Sequence, residues 1–183
     1  MITTTRALTG IILSFSLSGE AVASNAPPSP PVTLSQPQAV AATRNDLRGL
    51  PPDKQRVYAA AHFLGYYQTN SMAAAPVCNA FHVDISPFVT AFRKVYQAEY
   101  STALAILKEA GATDDTLDQM EARQRPRQEE NVQRAMGELA QTQGATGAEA
   151  GCRYVAAHPD DVASARTYEA DNPEVIAILM TKK

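Results

Sequence analysis

The pattern of apolar and polar positions becomes regular at Pro51. In "LPPDKQRVYAAAHFLGYYQTNSM", Val57, Ala60, Ala61, Leu64 and Tyr67 recur at the spacing of a helix with one buried face. Prolines suited to a first turn precede them, and Asp53 suits the positive end of the helix dipole. The pattern predicts a first helix that stops before Pro76, followed by a short turn carrying Cys78. A second helix opens at Ser86, a good N-cap with Pro87 behind it, and ends at Gly111. Its inward stripe is Val89, Phe92, Tyr96, Tyr100, Ala103 and Leu107, widened by Phe88, Val95 and Ile106.

Thr113 with Asp114 and Asp115 starts a third helix, whose apolar face begins at Leu117 and Met120. Pro126 should kink or break it, because proline removes a backbone donor and crowds the preceding turn. Val132, Ala135, Met136 and Leu139 restore the face before "GATG" ends it. Prolines punctuate the remainder into a short helix at Ala148 to Ala157, another starting at His158-Pro159, and a terminal one capped by Asn172-Pro173-Glu174. No run alternates with the period of a strand. The pattern therefore predicts an all-α domain, an irregular bundle of four to five main helices over residues 51–183.

The N-terminal part reads differently. Arg6, an apolar run from Ala7 to Leu17 and the small-x-small triplet Ala21-Val22-Ala23 have the layout of a signal peptide over residues 1–23, cleaved after Ala23. The run is too short for a permanent span, which needs about 20 apolar residues. With no cysteine following the cleavage position, the reading is a soluble exported protein, periplasmic or secreted, without stable membrane insertion. Residues 24–50 hold Pro27, Pro28, Pro30, Pro31 and Pro37 among small polar residues, a composition expected to form a disordered linker.

The formal net charge of -3 disfavours nucleic acid, whose binding is dominated by clustered Lys and Arg. The two cysteines, Cys78 and Cys152, are an even count in an exported chain and predict one disulfide across 74 positions. A competing arrangement would add His82 and His158 to two thiolates as a tetrahedral zinc site, with spacings poorly matched to a zinc knuckle.

His62 lies one turn before Tyr66, and with Tyr67 and Asn70 it forms an aromatic and polar cluster. A general base with a tyrosine partner has this form, and so does the rim of a helical core. His82 with Asp84 fits an imidazole oriented by a carboxylate, or ordinary capping chemistry at Asp84. Nucleophile-elbow, zincin, calcium-loop, phosphate-loop, dinucleotide and haem-attachment motifs do not occur, no catalytic residue is assigned, and no cofactor is called for. The function expected on these grounds is a non-enzymatic binding module for a periplasmic protein or small apolar ligand. The alternative is a helical metalloprotein or hydrolase using His62, Tyr66, His82 and Asp84.

Overall fold

A computed structural model describes residues 36–181, and the expected signal peptide and the first part of the Pro-rich linker lie outside the described residues. The described residues are all helical, without strands. They form α1 (Gln36–Gly49), α2 (Pro52–Gln68), a π turn (Thr69–Ala73), α3 (Ala74–Asn79), α4 (Ser86–Val95), α5 (Gln97–Glu109), α6 (Asp114–Thr142), α7 (Ala148–Ala157), α8 (Pro159–Ser164), α9 (Thr167–Asp171) and α10 (Pro173–Met180). The all-α expectation holds, and the count of four to five helices is replaced by ten α segments. The difference arises where the chain bends without leaving helical geometry.

The stretch 36–49, expected within a disordered linker, is the first such correction. Ala39, Thr43 and Leu47 fall on one face at four-residue spacing and are buried. That narrow stripe docks α1 on α2, and Arg44 pairs with Glu174 of α10 at 2.7 Å. A stripe of two small residues and one leucine is too weak to read as amphipathic, yet tertiary contact stabilises it.

The first predicted helix also runs past its expected end. Helical backbone continues from Pro52 through Pro76 to Asn79, so Cys78 stands on a helix and not in a turn. The π turn makes this passage possible by widening the hydrogen-bond register ahead of the proline. Ala74 N–H bonds to the Thr69 carbonyl, five residues back. Side chains add bonds to the carbonyls four residues back along this passage: Thr69 Oγ1 donates to Gly65, Asn70 Nδ2 to Tyr66 and Ser71 Oγ to Tyr67, at 2.7–3.0 Å. The π-register partner of Ser71 would be Pro76, which has no N–H, and the Ser71 carbonyl accepts instead from Arg93 Nη2 on α4 at 3.1 Å.

The second predicted helix is divided at Tyr96, whose backbone leaves the helical well at φ -105°, ψ 17°. The bend lets one stripe face two neighbours: α4 packs on α8, and α5 packs along α2. Pro126 has the opposite outcome, for α6 runs unbroken through it. Pro126 and Ala122 are both exposed, so the carbonyl that loses its donor meets water. Thr113 caps this helix as expected, accepting from Thr116 N–H while the Thr116 hydroxyl accepts from Thr113 N–H.

The core joins the aromatic rings of α2, α4, α5 and α9 to the aliphatic face of α6. Tyr66 packs on Tyr168 with ring centroids 4.4 Å apart, and Tyr67 stacks on Tyr100 at 4.1 Å. Where α6 meets α7, Gly151 lies directly against the Met136 backbone. Beside it, Cys152 is bonded to Cys78 of α3 with the two Cα atoms 5.5 Å apart, and both residues are fully buried. The predicted disulfide is therefore present, and its sulfurs are not available as zinc thiolates.

Candidate functional site

The residues singled out from sequence separate into two places. His62 is buried where α1, α2 and α9 meet, whereas His82 is exposed beyond the end of α3. His62 stands within α2, and His82 follows α3 on the far side of the π turn. They do not form one neighbourhood.

At the first place the hydrogen-bond directions can be worked out from one fixed point. The Thr43 hydroxyl donates to the Ala39 carbonyl at 3.0 Å, four residues back on α1. Its oxygen is then an acceptor for His62 Nε2–H, also at 3.0 Å. This assigns the imidazole proton to Nε2 and leaves Nδ1 to accept from the Tyr168 hydroxyl at 2.5 Å. The relay Tyr168 to His62 to Thr43 to Ala39 uses every polar position of the ring. Burial pushes the His62 pKa down to about 4, with Asp46 acting weakly in the other direction, so the ring is neutral at pH 7. Burial raises the Tyr168 hydroxyl well above its ordinary value.

Tyr66, proposed as the partner of His62, belongs instead to the ring cluster beside it, and Tyr67 is buried against Phe63, Phe92 and Tyr100. Asn70 is half-buried and spends its amide on the Tyr66 carbonyl. The histidine is in the interior, not at the rim of the core, and its partners are Thr43 and Tyr168 rather than Tyr66. Sequence reading missed both. Thr43 lay in the stretch read as linker, and Tyr168 is on a five-residue helix too short to show periodicity. Arg166 holds that helix in place. In the left-handed region at φ 45°, it donates to Glu169 at 2.6 Å and to the buried Glu99 of α5 at 2.5 Å, its guanidinium 5.7 Å from the Tyr96 ring centre.

At the second place His82 has a backbone role. It adopts φ 56° at the position after α3 where glycine is usual. Val83 N–H bonds to the Cys78 carbonyl at 3.1 Å and His82 N–H to the Asn79 carbonyl at 2.9 Å, the paired bonds of a Schellman cap. Asp84 then accepts from the Ser86 N–H at 2.8 Å and its hydroxyl at 2.6 Å, which holds the carboxyl below its ordinary pKa and starts α4. Ile85 occupies the N-cap position of α4, and Ser86, the N-cap expected, is instead the first helical residue and donates to Asp84. Replacing His82 with glycine should raise stability by about 0.5–1 kcal/mol, as the left-handed backbone ceases to carry a Cβ. Urea unfolding checks this, and a destabilised variant would show that the imidazole makes a net contribution.

His158 is exposed at the junction of α7 and α8, with its ring 4.6 Å from Tyr154. Among the described residues no group of three or more His, Cys, Asp or Glu is placed to hold a metal ion. No helix among them is long and apolar enough to cross a membrane.

An open groove of about 330 Å³ lies between α3 and α6. Pro76, Val77, Ala80 and Phe81 form one wall, and Pro126 with Glu129, Glu130 and Gln133 the other. Glu121 and Glu138 of the same helix are paired with arginines. Glu129 and Glu130 have no ion-pair partner among the described residues. The fold and these surfaces define an all-helical domain with one disulfide. None of the protein families, curated proteins or solved structures compared with this chain matches it.

Proposed function

We propose that the protein is an exported, non-enzymatic binding module, and that its binding surface is the groove between α3 and α6. The observation that carries this reading is an apolar wall facing two unneutralised carboxylates across an open concave surface. Apolar side chains of a partner would gain by leaving water there, and a basic residue beside them would meet Glu129 and Glu130. The partner is accordingly a protein segment with an apolar anchor flanked by Lys or Arg. The disulfide anchors α3 through Cys78, so the wall stands on a rigid element and little ordering cost attends binding.

His62, the best candidate for a catalytic base, has both nitrogens engaged by protein groups and presents no free face to a substrate. This favours binding over hydrolysis at that position.

The test places a photo-crosslinking residue at Ala80, in the groove, and separately at Asp118, exposed elsewhere on α6. In the cells that make the protein, a discrete adduct is expected from Ala80 and not from Asp118. Charge reversal by Glu129→Lys with Glu130→Lys should reduce that adduct about tenfold, in the range of interface charge effects. Equal labelling from both positions, or no adduct at Ala80, would overturn the reading.

A further inference from the structure

His62 is the point at which both ends of the described chain are pinned to α2: α1 through Thr43, and α9 through Tyr168. Both chain ends cover a ring that is 1% exposed. Protonation of this ring would turn Nδ1 from acceptor into donor. The Tyr168 hydroxyl, itself fully buried, would then lose the acceptor for its own proton. No carboxylate among the described residues bonds to the ring to balance the new charge. Among the described residues Asp46 of α1 is the one anion that acts on it, and its Oδ2 already accepts from the Tyr58 hydroxyl at 3.2 Å. Among the charges on the surrounding elements, Arg44 of α1 pairs with Glu174 of α10, and Glu99 of α5 and Glu169 of α9 pair with Arg166.

A buried imidazolium without a counter-charge must be hydrated, so one of its covers has to open. The two covers differ in strength. α9 and α10 bury Tyr168, Asn172, Val175 and Leu179, whereas α1 buries Ala39, Thr43 and Leu47. Less apolar area is lost by lifting α1, and lifting it frees Nε2 to water.

We propose that His62 is an acid-sensitive latch that holds α1 on the body of the protein and releases it when the ring is protonated. Release uncovers His62 and the part of α2 on which α1 docks, without unfolding the aromatic core around Phe63 and Tyr66. The docked form binds one proton fewer at His62 than the released form, so docking weakens as pH falls below 6.5 and the loss levels off near 4.

Hydrogen exchange of the full, oxidised chain at pH 7 and pH 5, corrected for intrinsic exchange rates, tests the latch. Amides of α1 should lose protection by about 20-fold at the lower pH, the factor that follows from one group titrating across this window. Amides of α5 should keep theirs. His62→Gln cannot be protonated, while its amide can accept from Tyr168 and donate to Thr43, so it should abolish the response. No change in the native protein, the same change in His62→Gln, or an equal loss in α5 would each overturn the proposal. If His62→Gln folds poorly, Tyr168→Phe carries the test: without the donor on Nδ1 the response should move to higher pH, and an unmoved response counts against the latch.

Discussion

Removing the Cys78–Cys152 bond, by Cys78→Ala with Cys152→Ala, is expected to lower the free energy of unfolding by about 4–5 kcal/mol. The bond closes a separation of 74 residues, so in its absence the unfolded chain regains the entropy of a long loop. That segment contains α4, α5 and α6, which means the bond ties the two ends of the central half of the fold. Small domains have only about 5–15 kcal/mol in total, so the variant should be at the edge of folding at 37 °C. Urea unfolding of the oxidised protein and the double variant measures the difference. Alkylation followed by intact mass, with and without reductant, verifies that the native protein has no free thiol. A loss below about 1 kcal/mol would mean that α3 and α7 remain associated in the unfolded chain without the bond.

The second large effect belongs to Gly151. A Cβ there would lie 2.0 Å from the Met136 carbonyl oxygen and 2.8 Å from its Cα. Both are backbone atoms of α6, so no side-chain rotation relieves the contact, and α7 would have to move away. Gly151→Ala is expected to cost about 2 kcal/mol net, from about 3 kcal/mol at the upper range for overpacking less the roughly 1 kcal/mol that alanine returns as a better helix former. Because Gly151 adjoins Cys152, the strain also falls on the disulfide junction. The measurement is the urea midpoint of Gly151→Ala against the native protein; an unchanged or higher midpoint would mean that the α6–α7 contact gives way easily. Gly137, on the same long helix, has open space around it and should accept alanine without this cost.

Gly151 also shows why part of the fold was unreadable in advance. In sequence it is one glycine within "GAEAGCRYV", a neighbourhood that predicts a helix in spite of it. Its meaning is a distance to another helix, and no local pattern encodes that. The same reasoning applies to the π turn. Pro76 signals a helix end, and only the side-chain bonds from Thr69, Asn70 and Ser71, with Arg93 donating from α4, let the chain stay helical through it. Pro126 was read by the same rule, and exposure of the freed carbonyl made the rule lenient there.

The candidate site was legible only in part. His62 stood out, since a histidine among tyrosines on an apolar helix face is unusual. Tyr66 was the obvious partner by helical spacing, but side chains one turn apart on one helix compete with contacts from other elements. Tyr168, 106 positions away, made the bond. His82 drew attention by its spacing from Cys78, and that spacing turned out to be the geometry of a helix cap.

What this sequence determined by itself is the helical class, most element starts, the Thr113 cap and the existence of the disulfide. Each rests on local information, namely hydrophobic period, capping chemistry and an even cysteine count. The tertiary structure alone decided that residues 36–49 are folded, that His62 is interior and neutral, and which surface remains as a groove. Those outcomes depend on which side chains meet across long separations, where burial and directional hydrogen bonds outweigh the preferences of any single stretch.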